Sequence, residues 1–375
     1  MSSPIRRVRA LRAIDPASEY EGPIELTITD GRISGRETDA SKFGAADLIV
    51  DQGFLVPGLI DAHAHPSLSG SRYGVDPDQY FLTRGSTTVL SQGDAGARNI
   101  DEFVDKTIEP SRTRIKLAIN FCANGESNPN GRFFDLDEAS ILECVEAIER
   151  HREHIWGISL NVAFVQNPSI DPLDIMRRGV EAAGQANVPI LFGATKTDAT
   201  PLADQLALLR PGDSMTYCFH SGEGSIVQAG RIQDCVLEAR ERGVLFDVGD
   251  GFAAFGFDTA EVAIAEGFLP DIISSDAYVA HVESGTNQDL PLVASKLVAA
   301  GMSIEDCWSR MTSAPAKLLE LEDENGQLRV GAAADFCVVD VTNETAQLRD
   351  GHNQTRTGQL WEPVLTIKAG EVVSQ

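Results

Sequence analysis

LIDAHAHPSLSG, residues 59–70, follows directly on the apolar run GFLVPG at 53–58. The chain holds only seven histidines in 375 residues, yet two of them, His63 and His65, stand one residue apart here. In a β-strand residues i and i+2 point to the same side, so the two imidazoles aim together. A pair of neutral imidazoles on one side suits zinc, iron or nickel. The competing reading is a pair of histidines satisfied by backbone partners. The apolar strand in front of them and the alternating pattern behind them favour the metal.

That pattern settles the fold class. After residue 58, short apolar runs alternate with helical stretches. The runs are LIDAHAHP, STTVLSQGDAG, RIKLAINFCANG, IWGISLNVAF, VPILFGAT, SMTYCFHSG, VLFDVGDG and DIISSDAY. Between them lie helix-like segments such as DEASILECVEAIERHREH and DPLDIMRRGVEAAGQA, with Asp137 and Asp171 placed as N-caps. Eight such alternations predict an α/β fold, a (β/α)8 TIM-type barrel. The strands read as continuous apolar runs, as expected when both faces are buried. Before residue 58 the rhythm is different. IELTITDGRISGRE alternates apolar and polar residues on either side of Asp30-Gly31, a hairpin signal. GQLRVGAAADFCVVDV and WEPVLTIKAGEVV repeat the strand-like pattern at the other end. The expected organisation is a small β-sandwich domain built from both chain ends, 1–57 plus 327–375, around a (β/α)8 barrel at 58–326.

Composition narrows the function. A net charge of −25 argues against nucleic acid and against an anionic membrane surface. No apolar run approaches the roughly 20 residues that span a bilayer. The basic start, MSSPIRRVRALRAIDP, lacks a long apolar core and a small-residue cleavage site, so the expected compartment is cytoplasmic. The six cysteines include no CxxC pair and read as buried, reduced residues. A small-molecule substrate is the expected partner.

VPGLIDAHAHP resembles the first-strand signature of the amidohydrolase superfamily. GSTTVLSQGDAGARNIDEFVDKTIEPSRTRI, LLRPGDSMTYCF, EARERGVLFDVGDG, AEGFLPDIISSD, TSAPAKLLEL and GQLRVGAAADFCVVDV are similar to its amidohydrolase/deacetylase-type metallohydrolase branch. The resemblance covers nearly the whole chain. It implies a (β/α)8 barrel with a β-sandwich flank, metal-dependent hydrolysis of amide or related C–N bonds, and a homo-oligomer. It also implies that His63, His65 and Asp276 bind the metal. Asp276 then doubles as the catalytic base on the metal-activated water.

The chain departs from the branch in three places. Ser159 stands where the resemblance puts a bridging lysine, and Gly193 and Tyr217 stand where it puts the histidines of strands five and six. The usual two-metal site is therefore not expected. One divalent ion is, zinc first, with manganese or iron as alternatives. His220, three residues past Tyr217, is a further candidate metal ligand if a loop or bulge re-aims it. Tyr217, Lys196 and His281 are candidate substrate-binding residues. Tyr217 offers a hydroxyl to an oxyanion and Lys196 an ammonium to a carboxylate. Asp94 is a candidate orienting partner for His63 or His65. Cys218, Asp250, Asn161 and Glu126 lie near strand ends with no role assigned, and His352 is read as a surface residue. A lyase or decarboxylase on the same scaffold, or an inactive binding homologue, are the alternative functions.

Overall fold

The computed structural model describes residues 5–373 other than 164 and 198. The strand Leu59–Ala64 is buried along its whole length. It opens a parallel sheet that continues through Ser86–Gly96, Arg114–Asn120, Ile155–Asn161, Ile190–Gly193, Ser214–Met215 and Leu245–Phe246. The eighth position is filled by residues 271–277. On one side the Asp271 N–H donates to the Phe246 carbonyl (2.7 Å) and the Asp250 N–H to the Ser274 carbonyl (3.2 Å). On the other, the Asp276 N–H donates to the His63 carbonyl (2.8 Å) and the His65 N–H to the Ala277 carbonyl (3.0 Å). The ring is thereby closed into a (β/α)8 barrel.

Strands one to five lie within the apolar runs, and the second matches its run end to end. Residue 164, at the end of the fourth run, lies outside the described residues. The later strands are shorter than the runs suggest. Tyr217 (φ 62°) and Gly249 (φ 54°) turn the chain into the left-handed region just past strands six and seven. Asp276 (φ 46°) does the same in the eighth segment, which keeps ladder hydrogen bonds without regular strand geometry. Each break falls at the end of the barrel where the strands finish, the end that carries active sites in this architecture.

Helices fill the connections. Asp171 caps Pro172–Ala186, accepting from the Leu173 N–H. Asp137 is not an N-cap. It lies inside the 3₁₀ turn Leu136–Glu138, and the Ser140 hydroxyl caps Ile141–Arg150 by accepting from the Glu143 N–H. The α-helix Ile100–Phe103 runs into a π turn, Val104–Ile108. No helix among the described residues is long and apolar enough to cross a membrane.

Both chain ends build the second sheet. Arg7–Asp15, Tyr20–Thr29, Arg32–Glu37, Leu48–Val50 and Phe54–Pro57 join Phe336–Arg349, Thr355–Lys368 and Glu371–Val372. Asp30 and Gly31 both take positive φ, the I′ turn that a two-residue hairpin needs. The sheet has its own core, in which Val8, Ile24, Leu26 and Leu55 meet Phe336, Val338 and Ile367. Gly58 is the crossing point into the barrel. A Cβ there would lie 2.3 Å from Thr87 Oγ1, so only glycine passes.

The last long hairpin leaves its sheet and lies along the barrel. Trp361 is buried against Trp308, with ring centroids 4.4 Å apart, and its backbone N–H donates to Ser295 Oγ (2.8 Å). Arg356 makes a two-pronged ion pair with Glu261 of the barrel helix Phe257–Ala265. Removing the indole anchor deletes a large buried side chain. Trp361→Ala is expected to lower unfolding free energy by about 3–5 kcal/mol, read as a shifted urea midpoint.

Candidate functional site

His63 and His65 emerge at the end of the first barrel strand, fully or nearly fully buried. Each has its Nδ1 engaged. Thr216 donates its hydroxyl proton to Asp247 Oδ2 (2.7 Å), so Thr216 Oγ1 is left to accept from His63 Nδ1 (2.7 Å). Asp247 Oδ2 lies 3.2 Å from the same nitrogen. His65 Nδ1 donates to Asp94 Oδ1 at 3.0 Å. Asp94 is itself held by the hydroxyls of Ser71 and Ser91, both at 2.6 Å. With Nδ1 carrying the proton in both rings, a neutral imidazole presents its Nε2 lone pair, the arrangement a metal ligand needs.

Asp276 faces both Nε2 atoms. Its Oδ1 lies 3.3 Å from that of His63 and 3.4 Å from that of His65. The same oxygen is buried and has no hydrogen-bond partner. Burial alone raises a carboxyl pKa. Here the two imidazoles outweigh it and hold Asp276 well below the usual carboxylate range. Burial likewise opposes charge on the histidines. The surrounding carboxylates reverse the balance, chiefly Asp276 for His63 and Asp94 for His65, raising them to about 9 and about 10. Asp61 sits just behind, its carboxylate accepting from the Ser275 N–H (3.0 Å) and hydroxyl, and burial pushes it up to about 7.

The donor set can be tested against a cation. Ligands about 2.0–2.1 Å from one tetrahedral ion stand about 3.3–3.4 Å apart, which is the spacing of Asp276 Oδ1 from each imidazole nitrogen. An orphaned carboxylate oxygen among buried acidic groups also favours added positive charge. By donor type, and by the two spacings to Asp276, these side chains therefore suit one divalent ion. They do not form a finished cage: among the described residues no three His, Cys, Asp or Glu side chains are grouped so that they could hold a metal ion.

The remaining candidates divide. Tyr217 is at the site. Its hydroxyl is 3.4 Å from His63 Nε2, and its ring meets the His63 ring edge-on at 5.1 Å. Burial, reinforced by Asp276, keeps that phenol protonated. His220 is turned elsewhere. Its Nδ1 is 3.1 Å from Lys196 Nζ and 3.3 Å from the Ala253 carbonyl, so its described contacts place it beside the lysine and not on the histidine pair. The turn after Tyr217 produces this, since the His220 N–H bonds back to the Tyr217 carbonyl. Lys196 lies over the Tyr217 ring, 5.5 Å from its centroid. His281 is buried. Its Nδ1 accepts from the Tyr278 N–H (3.2 Å), and its ring stacks on Phe252 at 4.1 Å. Both contacts fix the start of the helix Val279–Ser284. Ser159 accepts from the Gln92 amide (3.0 Å), and Gly193 faces Asn161, whose Cγ would be 2.7 Å from an added Cβ.

Some residues at this end escaped the sequence reading, and Asp250, Glu126 and Cys218, named there without a role, have defined surroundings here. Thr216 and Asp247 hold His63, although only their neighbours in TYCF and DVGDG drew notice. Asp250 pairs with the buried Lys296 at 2.6 Å. Glu126 ties Arg72 (3.0 Å) to the buried Arg132. Tyr73 and Tyr278 pack on His65 at 4.9 and 6.0 Å. Cys218 is wholly buried in the core, and burial pushes its thiol well up.

Comparison with known proteins places this site in context. Residues 280–374 match the family described as "Amidohydrolase family". A deacetylase of Agrobacterium fabrum is 31% identical over 86% of this chain and 79% of its own length. A deacetylase of Enterococcus faecalis is 28% identical, covering 93% of this chain and 95% of its own. Crystal structures of an adenine deaminase (26% identity, 97% and 98% coverage) and a dihydroorotase (27%, 99% and 98%) each superpose with a TM-score of 0.86.

Gly251 gives a direct test of the carboxylate's place. Its backbone is outside the left-handed region, so alanine is tolerated there, but the added Cβ would lie 2.1 Å from Asp276 Oδ2. Gly251→Ala is expected to displace the carboxylate and lower kcat/KM about 10²-fold while leaving the thermal midpoint nearly unmoved.

Proposed function

The chain belongs to the amidohydrolase superfamily, and from that premise we propose that it is a metal-dependent hydrolase cleaving an amide or other non-peptide C–N bond of a small molecule. The working parts would lie in the barrel, residues 58–326, with 1–57 and 327–375 as the flanking domain. The observation that carries the reading is the convergence of His63, His65 and the orphaned Asp276 Oδ1. These three groups would hold a single divalent ion, zinc by preference. A divalent ion there supplies Lewis acidity and brings the pKa of water toward neutrality.

The residues divide the work. Asp276 takes a proton from the attacking water and returns it to the leaving nitrogen as the C–N bond breaks, so no net proton is gained or lost by the protein. The water oxygen ends on the carbonyl carbon. Tyr217, protonated and close to His63, donates a hydrogen bond to the carbonyl oxygen as negative charge builds there. Asp94 and the Thr216–Asp247 pair keep each imidazole in the tautomer that presents Nε2. Ser159 and Gly193 provide neither charge nor a nitrogen ligand, which favours one ion over two. His220, spent on Lys196, is left out of the shell.

Metal analysis with a paired variant decides the matter. Purified protein is expected to hold roughly one equivalent of divalent metal. His63→Asn should lose both that metal and turnover of an N-acyl substrate panel. Metal content and turnover both unchanged in His63→Asn would sink the reading. Metal-free protein whose stability ignores chelator would point to a binding homologue. Asp94→Asn is expected to keep the fold and weaken metal affinity about 10–100-fold, measured by competition with a chelating dye.

A further inference from the structure

A second cluster of nitrogen bases stands at the same mouth, one tyrosine ring from the histidine pair. Lys196, just past the strand Ile190–Gly193, sits over the ring of Tyr217, whose hydroxyl reaches His63. Among the described residues it also meets His220 Nδ1 at 3.1 Å. Neither partner carries a formal negative charge. Burial pushes the Lys196 amine down to about 8, with Asp276 opposing the shift, and the same burial, together with Lys196, pushes His220 down to about 4. Where Nδ1 accepts from the ammonium, the shorter of its two contacts, the second ring nitrogen of His220 is a donor and the Ala253 carbonyl at 3.3 Å goes without its hydrogen.

The third member comes from the other end of the chain. His352 lies on the tip of the long C-terminal hairpin, its ring 6.2 Å from that of His220. The tip is a fixed part of the mouth. The buried Asp350 carboxylate accepts from the N–H groups of Phe257 (3.0 Å), His352 (2.9 Å) and Gln354 (2.8 Å). The Gly351 N–H donates to the Phe255 carbonyl at 3.1 Å. A Cβ on Gly351 would lie 2.0 Å from the Phe252 carbonyl oxygen, so the tip is seated as closely as a glycine allows.

We propose that Lys196, flanked by His220 and His352, binds a carboxylate of the substrate, so that the chain acts on C–N bonds of small acids in preference to their neutral counterparts. The assignment rests on the hydrolytic reading above for the position of the scissile bond. A single ammonium with imidazole donors beside it matches one carboxylate charge. The Tyr217 ring links Lys196 to His63, which sets the carboxylate within a tyrosine's length of the bond cleaved. N-acyl α-amino acids meet that limit.

The test compares N-acetyl and N-formyl amino acids with their carboxamides, in both turnover and calorimetric binding, on the full-length protein. Wild type is expected to favour the acid. Lys196→Met should reduce the acid-to-carboxamide ratio about 10- to 100-fold, chiefly through KM, and Lys196→Arg should restore part of it. His352→Gln, at an exposed side chain, should lower the ratio several-fold with an unchanged thermal midpoint. A wild type that treats acid and carboxamide alike, a ratio unmoved in Lys196→Met, or no binding of any acid in the panel would overturn the proposal. Preferential binding that Lys196→Met abolishes, without cleavage of either probe, would keep the subsite and sink the hydrolytic reading instead. Cleavage of both probes with no charge preference would do the reverse.

Discussion

Closure of the barrel between its first strand and residues 271–277 sets everything at the mouth. Two backbone hydrogen bonds, Asp276 to His63 and His65 to Ala277, hold the register. That register places the Asp276 carboxylate in front of both imidazoles. A one-residue slip would send the histidines to the other face. Behind the seam, Asp61 grips Ser275 through its N–H and hydroxyl, so a buried carboxylate pins the strand to the segment it closes on. Asp276 is left in a left-handed conformation that aspartate tolerates better than bulkier residues. Such strain, roughly 1–3 kcal/mol, persists only where the surroundings over-determine it.

The electrostatics follow from that geometry. Asp61, Asp94, Asp247 and Asp276 are all buried around two imidazoles. Asp61, Asp94 and Asp247 are each hydrogen-bonded to a hydroxyl or backbone N–H, whereas Oδ1 of Asp276 is buried without a partner. Such a cluster is stable only when protons or a cation supply the missing positive charge. The high pKa values of His63 and His65 and the cation-sized spacing of their Nε2 atoms from Asp276 are two expressions of the same excess of carboxylate. The nearby Asp250 shows the contrast. It has its own counter-ion in Lys296, 2.6 Å from Oδ2, so that carboxylate charge is already balanced by the protein itself.

Much of this was legible in the chain. Strand period two was enough to bring His63 and His65 to one side, and the alternation of apolar runs and helices was enough for the barrel. Asp94 was placed as an imidazole partner because a turn with flanking glycines ends its strand beside the first. What failed was local and conformational. Nothing in SMTYCFHSG marks Tyr217 as a left-handed residue, and that one dihedral decides where His220 points. His281 looked like a mouth residue by its distance from Asp276 along the chain, but it accepts from the Tyr278 N–H at its own helix start. Thr216 and Asp247 lie just past two neighbouring strands, whose register sets them side by side, and they reach His63 only through closure of the barrel, a contact no local pattern encodes.

His352 shows the limit most clearly. Its stretch, RDGHNQ, is polar and reads as a surface turn, and its side chain is indeed exposed. Its neighbourhood depends on a hairpin whose strands, Phe336–Arg349 and Thr355–Lys368, are long enough to leave their own sheet and travel along the barrel. Trp361 and Arg356 fix the path, and Asp350 fixes the end. The flanking domain therefore does more than cover apolar surface. It carries a side chain from near the C-terminus to the rim formed by loops five, six and seven. A rim assembled from separate loops can change its ligand preference through one hairpin tip while the barrel, and the carboxylate–histidine arrangement inside it, stays as it is.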